Sequence, residues 1–205
     1  MIWPGCAPIR RWREHFAFRF ALLVAIRFAE PADAEQIAAI YAPFVLHTPV
    51  SFEETPPDAG EIRARIARLR GRWPWLVAAD AGRVLGYAYA SEHRARAAYR
   101  WAVDTTVYVD ESARRGGLGR SLYRELFRIL RRQGYSAAYA GIALPNDASV
   151  GLHQAVGFEF IAVYPAVGFK LGRWHDVSWW RRTLNEPSGV PADPAPLDGI
   201  PPSSE

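Results

Sequence analysis

The chain has 205 residues, half of them apolar, with eight tryptophans and ten phenylalanines. This length suits one domain, and this apolar content excludes disorder over most of the chain. The formal net charge of +4 comes almost entirely from arginine, which is scattered among acidic residues and forms no long basic block of the kind found in nucleic-acid tails. Such mild basicity equally fits a small anionic ligand.

Cysteine usage and hydropathy narrow the class of protein further. Cys6 is the only cysteine, which excludes an intrachain disulfide framework and a cysteine-based metal site, so we expect a cytoplasmic protein without a metal. The apolar run at residues 20–26 is too short to span a bilayer and is flanked by arginine. We therefore expect no membrane-spanning segment and no secretion signal, and interpret this run as part of a first strand.

Composition divides the chain into three parts. Residues 1–22 carry tryptophan, phenylalanine and arginine in no clear period, which indicates a loosely attached arm or a start codon placed too early. Residues 23–184 have the apolar patterns of one domain. Residues 185–205 are rich in proline, serine and glycine with few apolar side chains, which predicts a disordered tail.

Apolar periodicity and turn residues predict an α/β fold. Capping boxes are expected where Asp33 is followed by Gln36 and where Asp58 is followed by Glu61. The connection at residues 80–83 is short enough for a hairpin, so the sheet is predicted to be partly antiparallel. In chain order we predict a strand at 23–28, a helix after Asp33, a loop at 48–57, a helix after Asp58, strands at 75–79, 84–90 and 101–109, a loop at 110–116, a helix at 118–132 terminated by Gly134, a strand at 136–144, a short helix ending at 156, and strands near 160–164 and 175–182.

The segment RRGGLGRS at residues 114–121 lies between a predicted strand and a predicted helix. The first amides of a helix have no intrahelical acceptor, so they form an anion site. The glycines remove side chains that would keep a diphosphate away from these amides, and the arginines supply positive charge. An ordinary glycine-rich turn is the alternative, but the flanking strand and helix favour a ligand. The candidate binding residues are Arg114, Arg115, Gly116, Gly117, Leu118, Gly119 and Arg120.

Two familiar phosphate-binding loops do not fit this segment. A P-loop requires Gly-Lys-Ser/Thr, and a dinucleotide fingerprint requires glycine where Leu122 stands. The spacing Arg-x-x-Gly-x-Gly, at Arg114, Gly117 and Gly119, resembles the acetyl-CoA loop of the GCN5-related N-acetyltransferase (GNAT) superfamily. Further segments resemble its phosphinothricin acetyltransferase branch: WPWLVA at 73–78, RARAAYRW at 94–101, TVYV at 106–109, LPNDASVGLH at 144–153 and GFKLGRWHDV at 168–177.

This resemblance covers residues 24–184 and implies the GNAT fold. The expected sheet is mixed and mostly antiparallel, with helices on both faces, and the strand before the loop is bulged and splays from the next strand to open a cleft. Acetyl-CoA is the implied cosubstrate, transferred by direct attack of an amine in a ternary complex. The resemblance places its pantetheine arm near Val107, Tyr108, Val109, Asn146 and Ser149; helix capping is the alternative role for Asn146 and Ser149.

The resemblance also implies the catalytic residues. An attacking amine must be neutral, so a base must accept its proton, and Asp104 stands where the family usually has glutamate. The shorter side chain makes a bridging water more plausible, and burial would have to raise a carboxyl pKa from its ordinary value of about 3.9. A solvated carboxylate is the alternative. His153 matches the family's histidine and is expected to relay a proton or to contact the substrate, with a structural role as the alternative.

The acceptor implied by the resemblance is a small anionic amino acid or analogue, such as phosphinothricin, methionine sulfoximine or methionine sulfone. Arginine suits carboxylate and phosphinate groups. The candidate substrate-binding residues are Phe52, Arg94, Arg96 and Tyr99. The family is commonly dimeric, so we expect a homodimer in which the aromatic C-terminal strand could serve as the interface.

Two other functional classes remain as alternatives. An aspartate where glutamate is usual suggests a CoA-binding sensor or interaction module that has lost catalysis. Nucleic-acid binding through the N-terminal arginines is the second alternative, and we expect no such binding.

Overall fold

The computed structural model describes residues 24–203, so the N-terminal arm, with Cys6 and the first arginines, lies outside the described residues. Within this range a single sheet has the strand order β1-β2-β3-β4-β5-β7-β6. No helix in the described range is both long and apolar enough to cross a membrane. The strands are β1 Ala25–Phe28, β2 Trp75–Asp80, β3 Arg83–Glu92, β4 Ala102–Val109, β5 Ala137–Ala143, β6 Glu159–Lys170 and β7 Arg173–Thr183, and the helices are α1 Ala34–His47, α2 Ala59–Leu69, α3 Leu118–Gln133 and α4 Asp147–Ala155.

The sheet separates two apolar cores, because successive strand residues face opposite sides. Trp75 and Val77 of β2 pack with α1 and α2, whereas Leu76 and Ala78 pack with α3 and its neighbours on the other face. All neighbouring strands are antiparallel except β4 and β5, which are parallel. The predicted mixed, mostly antiparallel sheet with helices on both faces is confirmed.

Local sequence signals determine several element ends. The Asp58 carboxylate accepts a hydrogen bond from the Glu61 N–H at 2.8 Å, which confirms the Asp58 half of the predicted capping box, whereas the Glu61 carboxylate accepts a hydrogen bond from Arg65. The predicted hairpin is also confirmed, and its two turn residues, Ala81 and Gly82, both have positive φ. Gly134, with φ of 91°, ends α3 as predicted.

The capping box predicted at Asp33 and Gln36 is wrong. The Asp33 carboxylate instead accepts two hydrogen bonds of 2.7 Å from the Arg27 guanidinium. The Gln36 side chain reaches the β2–β3 hairpin, where its oxygen accepts a hydrogen bond from the Val84 N–H at 2.8 Å. Both side chains therefore join α1 to the sheet, because a charged or strand-edge partner competes successfully with the local cap.

β4 and β5 are paired over only part of their length. Ala102–Asp104 pairs with Ala137–Tyr139, and beyond the Asp104–Tyr139 pair β4 continues to Val109 without this neighbour. The predicted splayed cleft is therefore present. The register between β3 and β4 is unbroken, so the bulge implied by the family resemblance is absent from that pairing.

β6 is longer than predicted, because it continues past residue 164 to Lys170. Its register with β7 shifts between Tyr164 and Gly168, and Ala166 has a φ of 46°. This irregularity, next to Pro165, interrupts the alternating pattern from which a strand is recognised.

Residues 185–203 contain no helix or strand, yet they follow a defined path where composition predicts disorder. Leu197 and Ile200 pack against the core on the α3 side of the sheet. The Gln133 side chain donates a hydrogen bond to the Ala195 carbonyl at 3.0 Å. A few apolar contacts and hydrogen-bonded backbone groups hold this segment. Because only a few residues make them, they are not visible in its average composition.

We expect Ile200→Ala to lower the free energy of unfolding by about 2 kcal/mol, because the change leaves a cavity under the C-terminal segment. Val190 lies in the same segment and is 99% exposed, so Val190→Ala should change the free energy of unfolding by less than about 0.5 kcal/mol. Urea unfolding followed by tryptophan fluorescence measures both. Equal effects would show that the segment does not pack on the domain.

Candidate active site

The vertex of the cleft carries a carboxylate and an imidazole in direct contact. Asp104 forms the last pair of β4 with β5, and its Oδ1 lies 2.7 Å from Nδ1 of His93, the residue that follows β3. The Asp104 side chain is 31% exposed and the His93 side chain 11%. Sequence reasoning identified Asp104 but missed His93.

Aromatic side chains fix the His93 ring. The ring stacks on Tyr139 of β5, with centroids 4.3 Å apart and planes 13° apart. Its edges lie near Tyr99 and Trp179, at centroid distances of 6.2 and 6.5 Å. Because Tyr139 is also the strand partner of Asp104, the stack holds His93 over the point where the strands separate.

Burial raises the pKa of the Asp104 carboxyl above its ordinary value. The hydrogen bond with His93 and the positive charges of His93 and Arg94 act in the opposite direction. Burial thus makes the carboxylate more basic, while its partners keep the charged form accessible.

The arginine-rich segment lies beside this pair. The Arg94 guanidinium lies 5.7 Å from the Trp179 ring centroid and donates a hydrogen bond to the His93 carbonyl at 2.9 Å. Tyr99 is 46% exposed and meets the edge of the His93 ring. Arg96 is exposed at the start of the short 3-10 helix that ends at Tyr99. The structure therefore brings Arg94 and Tyr99 to the vertex.

Phe52 belongs to the loop between α1 and α2, which lies against β6. A Cβ atom added to Gly168 would come within 2.3 Å of the Phe52 ring, so this ring covers the Gly168 backbone. The Lys170 ammonium donates a hydrogen bond to the Ser51 carbonyl at 2.6 Å and anchors the loop. The ring remains 41% exposed, and its aromatic contact is with His175.

His153 lies apart from the Asp104–His93 pair, between α3 and α4. Its Nδ1 lies 2.7 Å from the Ser149 carbonyl, which can only accept, so Nδ1 donates and Nε2 accepts from the Tyr123 hydroxyl at 2.9 Å. The residue is 4% exposed. With both ring nitrogens occupied, this geometry supports the structural alternative over a relay or substrate contact.

The position of His153 predicts a pH dependence of stability. Burial lowers its pKa, against the hydrogen bond to Ser149, so the folded protein keeps the ring neutral where the unfolded chain takes up a proton. Its contribution to stability is therefore complete above about pH 6.5 and is lost as the pH falls towards the lowered folded-state pKa.

We expect the free energy of unfolding to decrease less between pH 7 and pH 5 in His153→Gln than in the wild type. Equilibrium unfolding in urea at pH 7 and at pH 5 measures the free energy of unfolding of both proteins. An unchanged pH dependence in the variant would contradict the assignment of a neutral buried imidazole.

The loop before α3 has the geometry of an anion site. Gly117 has a φ of 83°, and Arg115 a φ of 65°. Within residues 24–203, the backbone N–H groups of residues 115–120 have no hydrogen-bond acceptor. Several adjacent free amides at a helix N-terminus favour a diphosphate, and the exposed Arg114, Arg115 and Arg120 side chains add positive charge.

The glycines of this loop have different roles. Gly117 adopts a conformation that other residues rarely adopt, and it begins α3 without a capping side chain. A Cβ atom on Gly119 would lie 3.1 Å from Leu152 of α4, so Gly119 allows the two helices to approach. Gly116 is exposed and keeps the entrance to the amides open.

The remaining candidate cofactor residues line the two edges of the cleft. Val107, Tyr108 and Val109 pair with β3 on one side only, which leaves the edge facing β5 without a strand partner. Opposite them, the Asn146 side-chain oxygen accepts a hydrogen bond from the Ser149 N–H at 3.1 Å and caps α4. The capping alternative is thus present, and within the described chain the Asn146 side-chain NH₂ group has no partner.

The described part of the chain contains no group of three or more histidine, cysteine, aspartate or glutamate residues placed to hold a metal ion.

Comparison with known proteins agrees with this geometry. The family model for the acetyltransferase (GNAT) domain matches residues 26–179. Phosphinothricin N-acetyltransferase of Streptomyces viridochromogenes is 40% identical over 174 residues, which cover 85% of this chain and 93% of that protein. L-methionine sulfoximine/L-methionine sulfone acetyltransferase of Pseudomonas aeruginosa is 39% identical over 169 residues, which cover 82% of this chain and 98% of that protein.

A solved structure has the same fold. The phosphinothricin acetyltransferase of the GNAT superfamily from Sinorhizobium meliloti, in complex with AcCoA, superposes with a TM-score of 0.79 and 37% identity over 82% of this chain and 93% of that one. The chain therefore belongs to the GNAT acetyltransferase family and is an acetyl-CoA-dependent N-acetyltransferase. The predicted family and fold are confirmed, and the sensor alternative is not favoured.

Proposed function

We propose that this enzyme acetylates the α-amino group of a small anionic amino acid or analogue of the phosphinothricin, methionine sulfoximine or methionine sulfone type. The observation that carries the proposal is the arrangement at the cleft vertex, where the Arg94 cation lies beside the partly buried Asp104–His93 pair. A cation for the acceptor's acidic group and a base for its ammonium group are thus adjacent. The acceptors named for the related enzymes have this chemistry.

Acetyl-CoA supplies an acetyl group activated as a thioester, and the residues of the cleft fit this cosubstrate. The free amides of residues 115–120 suit the diphosphate. The open edge of β4 at 107–109, together with the Asn146 amide and the Ser149 hydroxyl, offers hydrogen bonds to the amides of the pantetheine arm. These residues form the proposed cofactor site.

The proposed acceptor site lies on the other side of the vertex. Arg94 binds a carboxylate or phosphinate, since a guanidinium matches two oxygens of such a group. Tyr99 borders the same space through its contact with His93. Arg96 and Phe52 are proposed as outer contacts, because both are exposed and neither is joined to the vertex by a hydrogen bond in the described residues.

Asp104 is proposed to remove the ammonium proton, directly or through an intervening group. Its raised pKa and its position at the end of the paired part of β4 support this role. His153 is proposed to hold α4 against α3, which keeps Asn146 and Ser149 at the cleft edge.

The proposed function is tested by mixing the purified protein with acetyl-CoA and a panel of amines. We expect release of free CoA with phosphinothricin, methionine sulfoximine or methionine sulfone, and little with simple alkylamines of the same size. Silence across the anionic amino acids would contradict the proposal.

We expect Arg94→Gln to raise KM for the preferred acceptor about tenfold, because a charge-assisted contact contributes roughly 1.5 kcal/mol and 1.4 kcal/mol is tenfold. Comparing phosphinothricin with methionine sulfone shows which acidic group Arg94 binds: a larger change for phosphinothricin indicates the phosphinate. Arg63→Gln, on the exposed face of α2, is the matched control. An unchanged KM in Arg94→Gln would remove Arg94 from the acceptor site.

We also propose that the enzyme is a homodimer and that it is cytoplasmic. The dimer is supported by a row of exposed apolar side chains on β6, since large exposed apolar patches commonly mark interfaces. These side chains are Phe160, Ile161, Val163, Tyr164, Val167 and Phe169. The single cysteine supports a reducing compartment.

Light scattering coupled to gel filtration tests the dimer. We expect twice the chain mass for the wild type and a shift towards the monomer for Phe169→Glu, because the buried charge would be unpaired. A wild-type monomer at all concentrations would overturn this proposal.

A further inference from the structure

We propose that His93 is the group that accepts the proton from the attacking amine, and that Asp104 positions the imidazole and stabilises its charged form. This inference rests on the proposed function and names the base of that same site. It assigns a catalytic role to a residue that the sequence motifs do not include, and it changes Asp104 from the base into a positioning residue.

The contact between the two side chains determines which ring nitrogen is basic. A carboxylate only accepts hydrogen bonds, so Nδ1 of His93 must carry the proton that it shares with Oδ1 of Asp104 at 2.7 Å. Nε2 then keeps its lone pair. Within the part of the chain that the structure describes, Nε2 has no hydrogen-bond partner, so its lone pair is not taken up by another protein group.

The position of the ring suits a base at the cleft. His93 stacks on Tyr139, and Asp104 pairs with Tyr139 as the last pair before β4 and β5 separate. The imidazole therefore lies where the acceptor side, marked by Arg94, meets the cosubstrate cleft. Its side chain is only 11% exposed, so bulk water competes little for its nitrogen.

The chemistry of the two groups favours imidazole as the acceptor. An imidazole has two ring nitrogens, so His93 can donate from Nδ1 to Asp104 and accept a proton at Nε2, whereas the Asp104 oxygen at 2.7 Å already accepts the His93 N–H. The titratable and charged groups that face the ring are Asp104 from β4, Tyr139 from β5, Tyr99 from the short helix, and the adjacent Arg94. Among these, the Asp104 carboxylate is the one that stabilises an imidazolium.

The acceptor's ammonium group has three protons, of which one passes to His93 Nε2 and later to water. The nitrogen lone pair forms the new N–C bond while the C–S bond breaks and its electrons leave with sulfur. A second proton ends on the thiol, and the third remains on the product amide. No oxidant, reductant or metal is required.

The first test is the pH dependence of kcat/KM with the acceptor that the panel identifies. In the wild type we expect kcat/KM to rise with pH on the acid side, because the base must be unprotonated to accept a proton. His93→Gln keeps a hydrogen-bond donor near Asp104 but removes the base, so it should lower kcat/KM by about 10² to 10⁴ and abolish that rise. His47→Gln is the matched control at an exposed position, and it should behave as the wild type.

Asp104→Asn separates positioning from proton acceptance. The asparagine NH₂ group can donate to Nδ1, which would move the ring proton to Nε2 and leave no basic nitrogen for the amine. We therefore expect a loss similar to that of His93→Gln. A His93→Gln enzyme that keeps turnover within about threefold of the wild type, or keeps the same pH dependence, would overturn the inference and return the role of base to Asp104.

A second measurement does not depend on activity. Nitrogen NMR of the whole protein, with the His93 signals assigned by their loss in His93→Gln, reports which ring nitrogen carries the proton. We expect protonated Nδ1 in the neutral ring of the wild type and protonated Nε2 in Asp104→Asn. Protonated Nε2 in the wild type would overturn the inference. If no amine of the panel releases CoA, the proposed function is overturned. The tautomer measured by NMR still shows whether Asp104 determines which nitrogen of His93 carries the proton.

Discussion

The separation of β4 from β5 is the constraint on which the rest of the site depends. Each strand is firmly held on its other side, because β4 pairs with β3 from Val103 to Val109 and β5 pairs with β7 along its whole length. The two strands share only the short parallel pairing that ends at Asp104 and Tyr139. The sheet is thus two well-paired halves joined at one end. Beyond the Asp104–Tyr139 pair, the backbone groups on the edge of β4 that faces β5 have no strand partner and are available to a ligand.

This geometry places the proposed binding groups along β4. The free amides before α3, proposed to bind the diphosphate, follow the far end of β4, and the Asp104–His93 pair, the proposed place of the thioester, lies at the vertex. The segment that carries Arg94 and Tyr99, proposed to bind the acceptor, follows β3 directly. In the proposed complex the long cosubstrate and the small amine meet at the vertex, as direct transfer requires.

The C-terminal segment supports the acceptor side through contacts that lie far apart in sequence. The Trp101 indole donates a hydrogen bond to the Ala192 carbonyl at 2.8 Å, and Arg100 pairs with Asp193 at 3.0 Å. Arg100 and Trp101 both lie between Tyr99 and the start of β4. The segment thus fixes the connection that carries Arg94 and His93, in addition to covering the core.

The sequence predicted those features that are determined locally. The hairpin turn at Ala81 and Gly82, the Asp58 cap and the glycine end of α3 each depend on neighbouring residues, and the structure confirms them. The candidate cofactor loop could be predicted for the same reason, since its arginines and glycines are contiguous.

Features that depend on distant partners were missed. Gln36 of α1 bonds to Val84 in the β2–β3 hairpin, and the C-terminal segment is held by Gln133 of α3. His93 approaches Asp104 because β3 and β4 pair in a register that places Ser91 opposite Asp104. The long connection between these strands hides that register. With the register known, His93 is two residues beyond Ser91 and so diagonal to Asp104 on the same face of the sheet, which would have indicated the His93–Asp104 contact.

The central claim is that the open strand edge and the free amides together bind acetyl-CoA. Isothermal titration calorimetry of the wild-type protein with acetyl-CoA and with S-acetylpantetheine, which lacks the diphosphate and the nucleotide, tests it most directly. We predict saturable one-to-one binding of acetyl-CoA and binding of S-acetylpantetheine at least about 100-fold weaker, because charge-assisted hydrogen bonds contribute roughly 1.5–3 kcal/mol each. No binding of acetyl-CoA, or equal binding of the two compounds, would contradict the account.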